Sequence, residues 1–178
     1  MVKPDGWIRE MAKKGMIKPF HSEKITRGIS YGLSSYGYDF TLSKEFKIFN
    51  GKGRTGPKTI SHRDFLEHTG PSCLVPPNSF VLGRSREYFR IPRETLAICF
   101  GKSTYARCGI IITVTPLEPE WEGNITIQIA NLGPVEAEIH AGEGIGQVVF
   151  LAADGVCETS YRDTAGKYQG SKGIVLPR

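Results

Sequence analysis

The sequence predicts one mainly β domain, a barrel or a sandwich, opening on a single short helix. Two observations predict it. From about residue 16 onward, the apolar segments are short, rich in β-branched and aromatic residues, and punctuated by Gly, Pro and Asn, which is how strands and not helices are written. These segments also recur as one run of strand-length pieces, at 79–82, 95–100, 110–114, 124–129 and 147–151, a spacing that suits a closed or double-layered β architecture. The 178 residues, 39% of them hydrophobic, suffice for one good core and leave little for a second domain.

The elements follow in order. Asp5 is placed as a helix N-cap, Trp7, Ile8 and Met11 recur at helical spacing, and Gly15 is placed to end the helix. Residues 50–57, with their glycines and with Lys52 and Arg54, read as a surface loop. In 124–129, polar and apolar residues alternate with period two, so Thr126 and Gln128 share one face while Ile125, Ile127 and Ile129 turn to the core. The closing stretch, 161–178, is polar and glycine-punctuated and lacks the periodicity to bury itself on its own core. It is expected to be a frayed tail or an arm that orders on a ligand or a neighbouring subunit.

The formal charge of +5 suits a polyanionic small ligand and is modest for a protein that coats nucleic acid. The first 24 residues hold no apolar run of signal-peptide length, and nowhere do roughly 18 apolar residues follow one another, so a cytoplasmic protein without a membrane span is expected. Cys73, Cys99, Cys108 and Cys157 have no C-x-x-C spacing and are expected to be buried free thiols.

Two motifs are decoys. Gly101-Lys102-Ser103-Thr104 imitates the end of a P-loop, but Leu96 stands where the pattern needs its first glycine, and Gly109 cuts short the helix that should follow. Lys102, Ser103, Thr104 and Arg107 still offer two cations and two hydroxyls at a strand end, a set able to hold a phosphate chain. His21-Ser22-Glu23 matches half of a zinc deaminase signature, yet the P-C-x-x-C half is absent and His62, His68 and His140 show no ligand spacing. No zinc is expected, and His21 is read as a surface or capping residue.

Six stretches, taken together and in order, carry a resemblance. They are Ser34-Ser35-Tyr36-Gly37-Tyr38-Asp39, Pro76-Pro77-Asn78-Ser79-Phe80, Glu87-Tyr88-Phe89-Arg90-Ile91-Pro92, 101–109, 114–123 and Gly166-Lys167-Tyr168-Gln169-Gly170. The chain resembles the bacterial deoxycytidine triphosphate deaminases over nearly its whole length. The resemblance implies a distorted, jelly-roll-like β-barrel of the dUTPase-like kind, forming a homotrimer with its sites between subunits. It implies hydrolysis of dCTP to dUTP and ammonia on the way to dUMP and dTTP, with Mg2+ on the triphosphate, no metal at the reacting carbon, and dTTP as a feedback inhibitor. By the matching motifs, Lys102, Ser103, Thr104 and Arg107 contact phosphates or hold the catalytic water, Ser103 and Arg107 being counted with the catalytic group. Thr113, Val114 and Thr115 line the cytosine pocket, and Tyr161, Lys167 and Gln169 belong to an arm, 161–178, that closes over the triphosphate.

Two positions depart from the family. Gln128 stands where the family's glutamate passes a proton from water to the leaving amine, which an amide cannot do. The chain is therefore an engineered trapping form, a natural homologue that binds without turnover, or an enzyme using Glu118, Glu120 or Glu122 instead. The segment 115–121 also lacks the aspartate with which bifunctional relatives orient water for triphosphate cleavage, so a diphosphatase activity is the weaker expectation.

Overall fold

The computed structural model describes residues 1–177. Helix α1 (Asp5–Lys13) precedes β1 (Ile17–Lys18), β2 (Lys24–Ile25), β3 (Tyr31–Ser34), β4 (Gly37–Thr41), β5 (Glu45–Phe49), β6 (Phe65–Thr69) and β7 (Ser72–Val75). Then come β8 (Ser79–Arg90), β9 (Thr95–Gly101), the helical turn α2 (Ser103–Ala106), β10 (Ile110–Thr113), β11 (Glu122–Asn131), β12 (Ala137–His140) and β13 (Gly144–Ala152). The fold is mainly β with one short N-terminal helix, as the strand spacing predicts. One sheet runs β10-β11-β8-β5-β6 with β1 added to β8, a second runs β2-β3-β4-β13-β9, and β12 pairs β7.

The core lies between the two larger sheets. Its largest members are Tyr38, Phe40, Phe46, Phe89 and Phe150, with Ile125, Ile127 and Ile129 projecting from β11 as their alternation predicts. The long strand β8 alternates in the same way, sending Val81, Gly83, Ser85, Glu87 and Phe89 inward and Arg84, Arg86 and Arg90 outward. Glu87 is thus a carboxyl group at a core position, and burial raises its pKa. It is satisfied by the Thr41 N–H and hydroxyl, each at 3.0 Å.

Helix α1 buries Ile8 and Ala12 and sets Trp7 against Phe150. Its start differs by one residue from expectation: Pro4 holds the cap position and Asp5 is the first helical residue, accepting the Gly6 N–H. Proline suits this place because its missing N–H would be unpaired there anyway. Gly15, at φ 92°, ends the helix as expected. The cysteines are all free, but Cys108 is exposed, because the turn after α2 runs along the surface. His21 is half-buried with its ring edge-on to Tyr31, and burial lowers its pKa.

The C-terminal segment departs most from its expectation. Polar as it is, it packs on its own barrel, because its backbone finds hydrogen-bond partners there. The Tyr161 N–H donates to Pro119, Gly170 N–H to Glu122 and Asn124 N–H to Ser171, and Gly123 and Ser171 form a parallel bridge. Arg93 adds a clasp, reaching Glu120 at 2.7 Å and Asp163 at 2.9 Å.

Candidate active site

Strand β11 presents Gln128 outward between the buried Ile127 and Ile129, and the register pairs it directly with Thr113 of β10. Both side chains are exposed in the single chain. A register shift between Asn124 and Thr126 marks a β-bulge just upstream. The strict alternation read from the sequence fails there: Asn124 is buried, its amide donating to the Ser85 and Glu87 carbonyls, while Ile125 N–H donates to the Ser85 hydroxyl. Bulges re-aim side chains. Beyond this one, Thr126 and Gln128 face away from the core.

A cavity of about 460 Å³ opens at the bulged end of β11. Val114, Thr115 and Glu118 form one wall, Trp121 and Thr126 another, and Tyr161 and Tyr168 of the arm cover it. The arm is held where it lies: Trp121 Nε1 donates to the Tyr168 carbonyl, Gln169 spans Glu120 and Glu122 through its amide, and Val175 N–H donates to the Thr126 hydroxyl. The structure therefore brings Val114, Thr115 and Tyr161 together. Gln169 holds the arm to the Glu120–Glu122 turn instead of facing the cavity, and Lys167 is exposed.

The basic turn lies elsewhere. Ser103, Thr104 and Arg107 are exposed around α2, and the side chains of Ser103 and Arg107 have no polar partner among the described residues. Thr104 faces a different cavity of about 340 Å³, beside Cys108 and Asn131. The turn and the arm-covered cavity flank opposite ends of β10, roughly 13 Å apart at about 3.3 Å per residue. Lys102 differs from the other three. It is half-buried and its ammonium bonds to Asp39 at 2.6 Å and to the Ser30 hydroxyl at 3.3 Å, so it turns toward the barrel.

Of the carboxylates near the cavity, Glu120 is tied to Arg93 and the Ser160 hydroxyl, and Glu122 to Arg90. Glu118 is exposed on the cavity wall.

The profile of the dCTP deaminase-like family matches residues 2–153. The chain belongs to the dCTP deaminase-like family. It is 58% identical to a dCTP deaminase of Paramagnetospirillum magneticum, covering 99% of this chain and 98% of that one. It is 57% identical to one from Helicobacter hepaticus (99% and 97% covered) and 54% identical to one from Bordetella petrii (99% and 98%). Among solved structures, the fold matches that of 2'-deoxycytidine 5'-triphosphate deaminase from Agrobacterium tumefaciens with a TM-score of 0.65 at 14% identity. That match covers 85% of this chain, which spans about half of the Agrobacterium protein (48%). No described helix is long and apolar enough to cross a membrane.

Reading the residues one by one missed the polar groups that hold the site's framework. Asp39 and Glu87 lie in stretches that carry the resemblance and Gln147 in none, but no role is assigned to any of the three. Their signal is a charged or amide side chain inside an apolar strand pattern, as at Glu87 in the alternation of β8.

Proposed function

We propose that this chain binds dCTP and hydrolyses its 4-amino group, giving dUTP and ammonia, with Gln128 limiting the rate. The single observation that carries the reading is identity of 54–58% over essentially full length to proteins named dCTP deaminase. In this reading the nucleoside occupies the cavity beneath the arm, with Thr113, Val114 and Thr115 along the base and Tyr161 as a lid. Ser103, Thr104 and Arg107 meet the triphosphate, which brings Mg2+ with it as part of the substrate. Among the described residues no three His, Cys, Asp or Glu side chains gather to hold a metal.

Hydrolysis adds water at C4 and breaks the C4–N bond, and both protons of the water leave its oxygen, one ending on N3 of the ring and the other on the departing amine, which leaves as ammonia. Gln128 can orient that water through its amide oxygen but cannot take its proton. Since the basic turn and the cavity stand at opposite ends of β10, a complete site is best built from two copies, the turn of one serving the cavity of the next. A homotrimer closes such a head-to-tail arrangement. The test is twofold. Ammonia release from dCTP and Mg2+ should be measurable, slow, and absent with dUTP, and a protein that binds no dCTP would refute the reading. Sedimentation at micromolar concentration should show about three times 19.7 kDa. A monomer alone would remove the shared site. Competition by dTTP in the same assay checks the feedback role.

A further inference from the structure

Asp39 is only 3% exposed, yet it is assigned no role in the site and lines neither cavity described above. Both of its oxygens are engaged: Oδ2 accepts from the Lys102 ammonium at 2.6 Å and Oδ1 from the Gln147 side-chain amide at 3.0 Å. The Gln147 amide also donates to the Ser34 hydroxyl, and register places Gln147 directly opposite Asp39 across β13 and β4. One buried carboxylate thereby joins two strands to the residue that begins the basic turn.

Lys102 is fixed at its backbone as well. Its carbonyl accepts from the Tyr105 and Ala106 N–H groups, and its own N–H donates to Ile145. With side chain, N–H and carbonyl all held, the path of the next residues is set, and Ser103 and Arg107 emerge outward from it. A buried ion pair contributes little net stability, because desolvation offsets most of the attraction. Its effect here is geometric.

We propose that Asp39 is a positioning residue for nucleotide binding: it holds Lys102, and through Lys102 the Ser103–Arg107 turn, in the orientation that meets the triphosphate. The inference rests on reading that turn as phosphate-binding. It opposes an arrangement in which Asp39 merely restrains Lys102 until phosphates draw it away, for then removing the carboxylate would tighten binding.

The test measures Mg-dCTP affinity by calorimetry for the unmodified protein, Asp39→Asn, Lys102→Met and the double variant, with amide hydrogen exchange at residues 103–107 in nucleotide-free protein. Asp39→Asn is expected to weaken affinity at least about tenfold, since small misplacements of binding groups are costly, and to speed exchange in the turn. In the Lys102→Met background it should add less than about twofold, the link being already cut. Unchanged or tighter binding by Asp39→Asn, or full additivity, overturns the proposal; a purely structural Asp39 would lower Tm and give the additive result. If Asp39→Asn does not fold, Lys102→Met decides alone: exchange in the free turn must rise, and unchanged exchange overturns it. An unmodified protein that binds no dCTP would sink the functional reading separately, while turn exchange would still report on Asp39.

Discussion

Replacing Gln128 by glutamate tests the chemistry most directly. The perturbation is nearly isosteric: one amide nitrogen becomes an oxygen on a strand whose neighbours, Ile127 and Ile129, are fully buried and do not move. The Gln128 side chain is exposed and makes no hydrogen bond among the described residues, so its loss leaves no orphaned partner there, and stability should change by less than about 0.5 kcal/mol. Thr113, directly opposite, stands with its Cβ about 5 Å away, near enough to share a water with the new carboxylate. A positioned acid–base group is worth about 10²–10⁴-fold, or roughly 2.7–5.4 kcal/mol of barrier at 1.36 kcal/mol per decade. Gln128→Glu should therefore raise the rate of dUTP or ammonia formation at saturating dCTP and Mg2+ by at least about 10²-fold. The dCTP affinity should change far less, because shape and reach are kept. If the protein with Gln128 already runs at the rate of its glutamate form, Gln128 does not occupy the proton-transfer position and the reasoning fails.

Other outcomes follow from contacts already described. Arg107→Ala should abolish tight dCTP binding while leaving Tm almost unchanged, since the guanidinium has no partner to lose among the described residues; undiminished affinity and turnover would contradict this. Glu120 and Asp163 both titrate below their ordinary values, Glu120 chiefly through the Ser160 hydroxyl and then Arg93, Asp163 through the Ser160 N–H and Arg93. A depressed carboxyl stabilises the docked arm fully above its unfolded pKa and loses that contribution as pH falls through the folded one. Arm docking should thus hold above pH 4.5, the ordinary value for Glu, and loosen below it, a change that Trp121 fluorescence would report through its bond to Tyr168. A flat signal down to global acid unfolding would refute it. Phe40→Ala empties a fully buried site edge-on to Phe89 and should cost about 3–5 kcal/mol in denaturant unfolding; a loss under about 1 kcal/mol would mean the core is looser than described.

The strands from residue 79 onward were legible because each buries one face, so period two survives in the residue order. Strand β4 was not, since every residue of Gly37–Thr41 is buried and no alternation remains to read. Its Asp39 is tolerated inside only because Lys102 arrives from 63 residues away, and no local pattern announces such a partner. The same long-range pairing is invisible at Lys102, which looks by sequence like a sibling of Arg107 yet is bonded to Asp39 while Arg107 is exposed. The arm was misjudged for a related reason: periodicity detects side-chain burial, whereas this segment is seated by its backbone. The outward face of Gln128 was legible from the alternation of Ile125, Ile127 and Ile129, because a regular strand carries side chains at predictable intervals, whereas Val114 and Thr115, which line the cavity, were named only through the family resemblance.

The way the arm is seated says which substitutions it can absorb. Its carbonyls and N–H groups make most of the contacts, at Tyr161, Tyr168, Gly170, Ser171 and Val175, while the barrel contributes the Trp121 indole and the Thr126 hydroxyl. Main-chain groups are common to almost all residues, so at Tyr168 and Val175 the side chain is free to diverge without losing these bonds, whereas Gln169 and Asp163 hold the arm by their side chains and are not. The barrel has no such freedom at Gly123, where φ is 155° and a Cβ would come within 2.9 Å of the Trp121 ring and 3.0 Å of the Ser171 carbonyl. A change at that one glycine would dislodge a segment dozens of residues away.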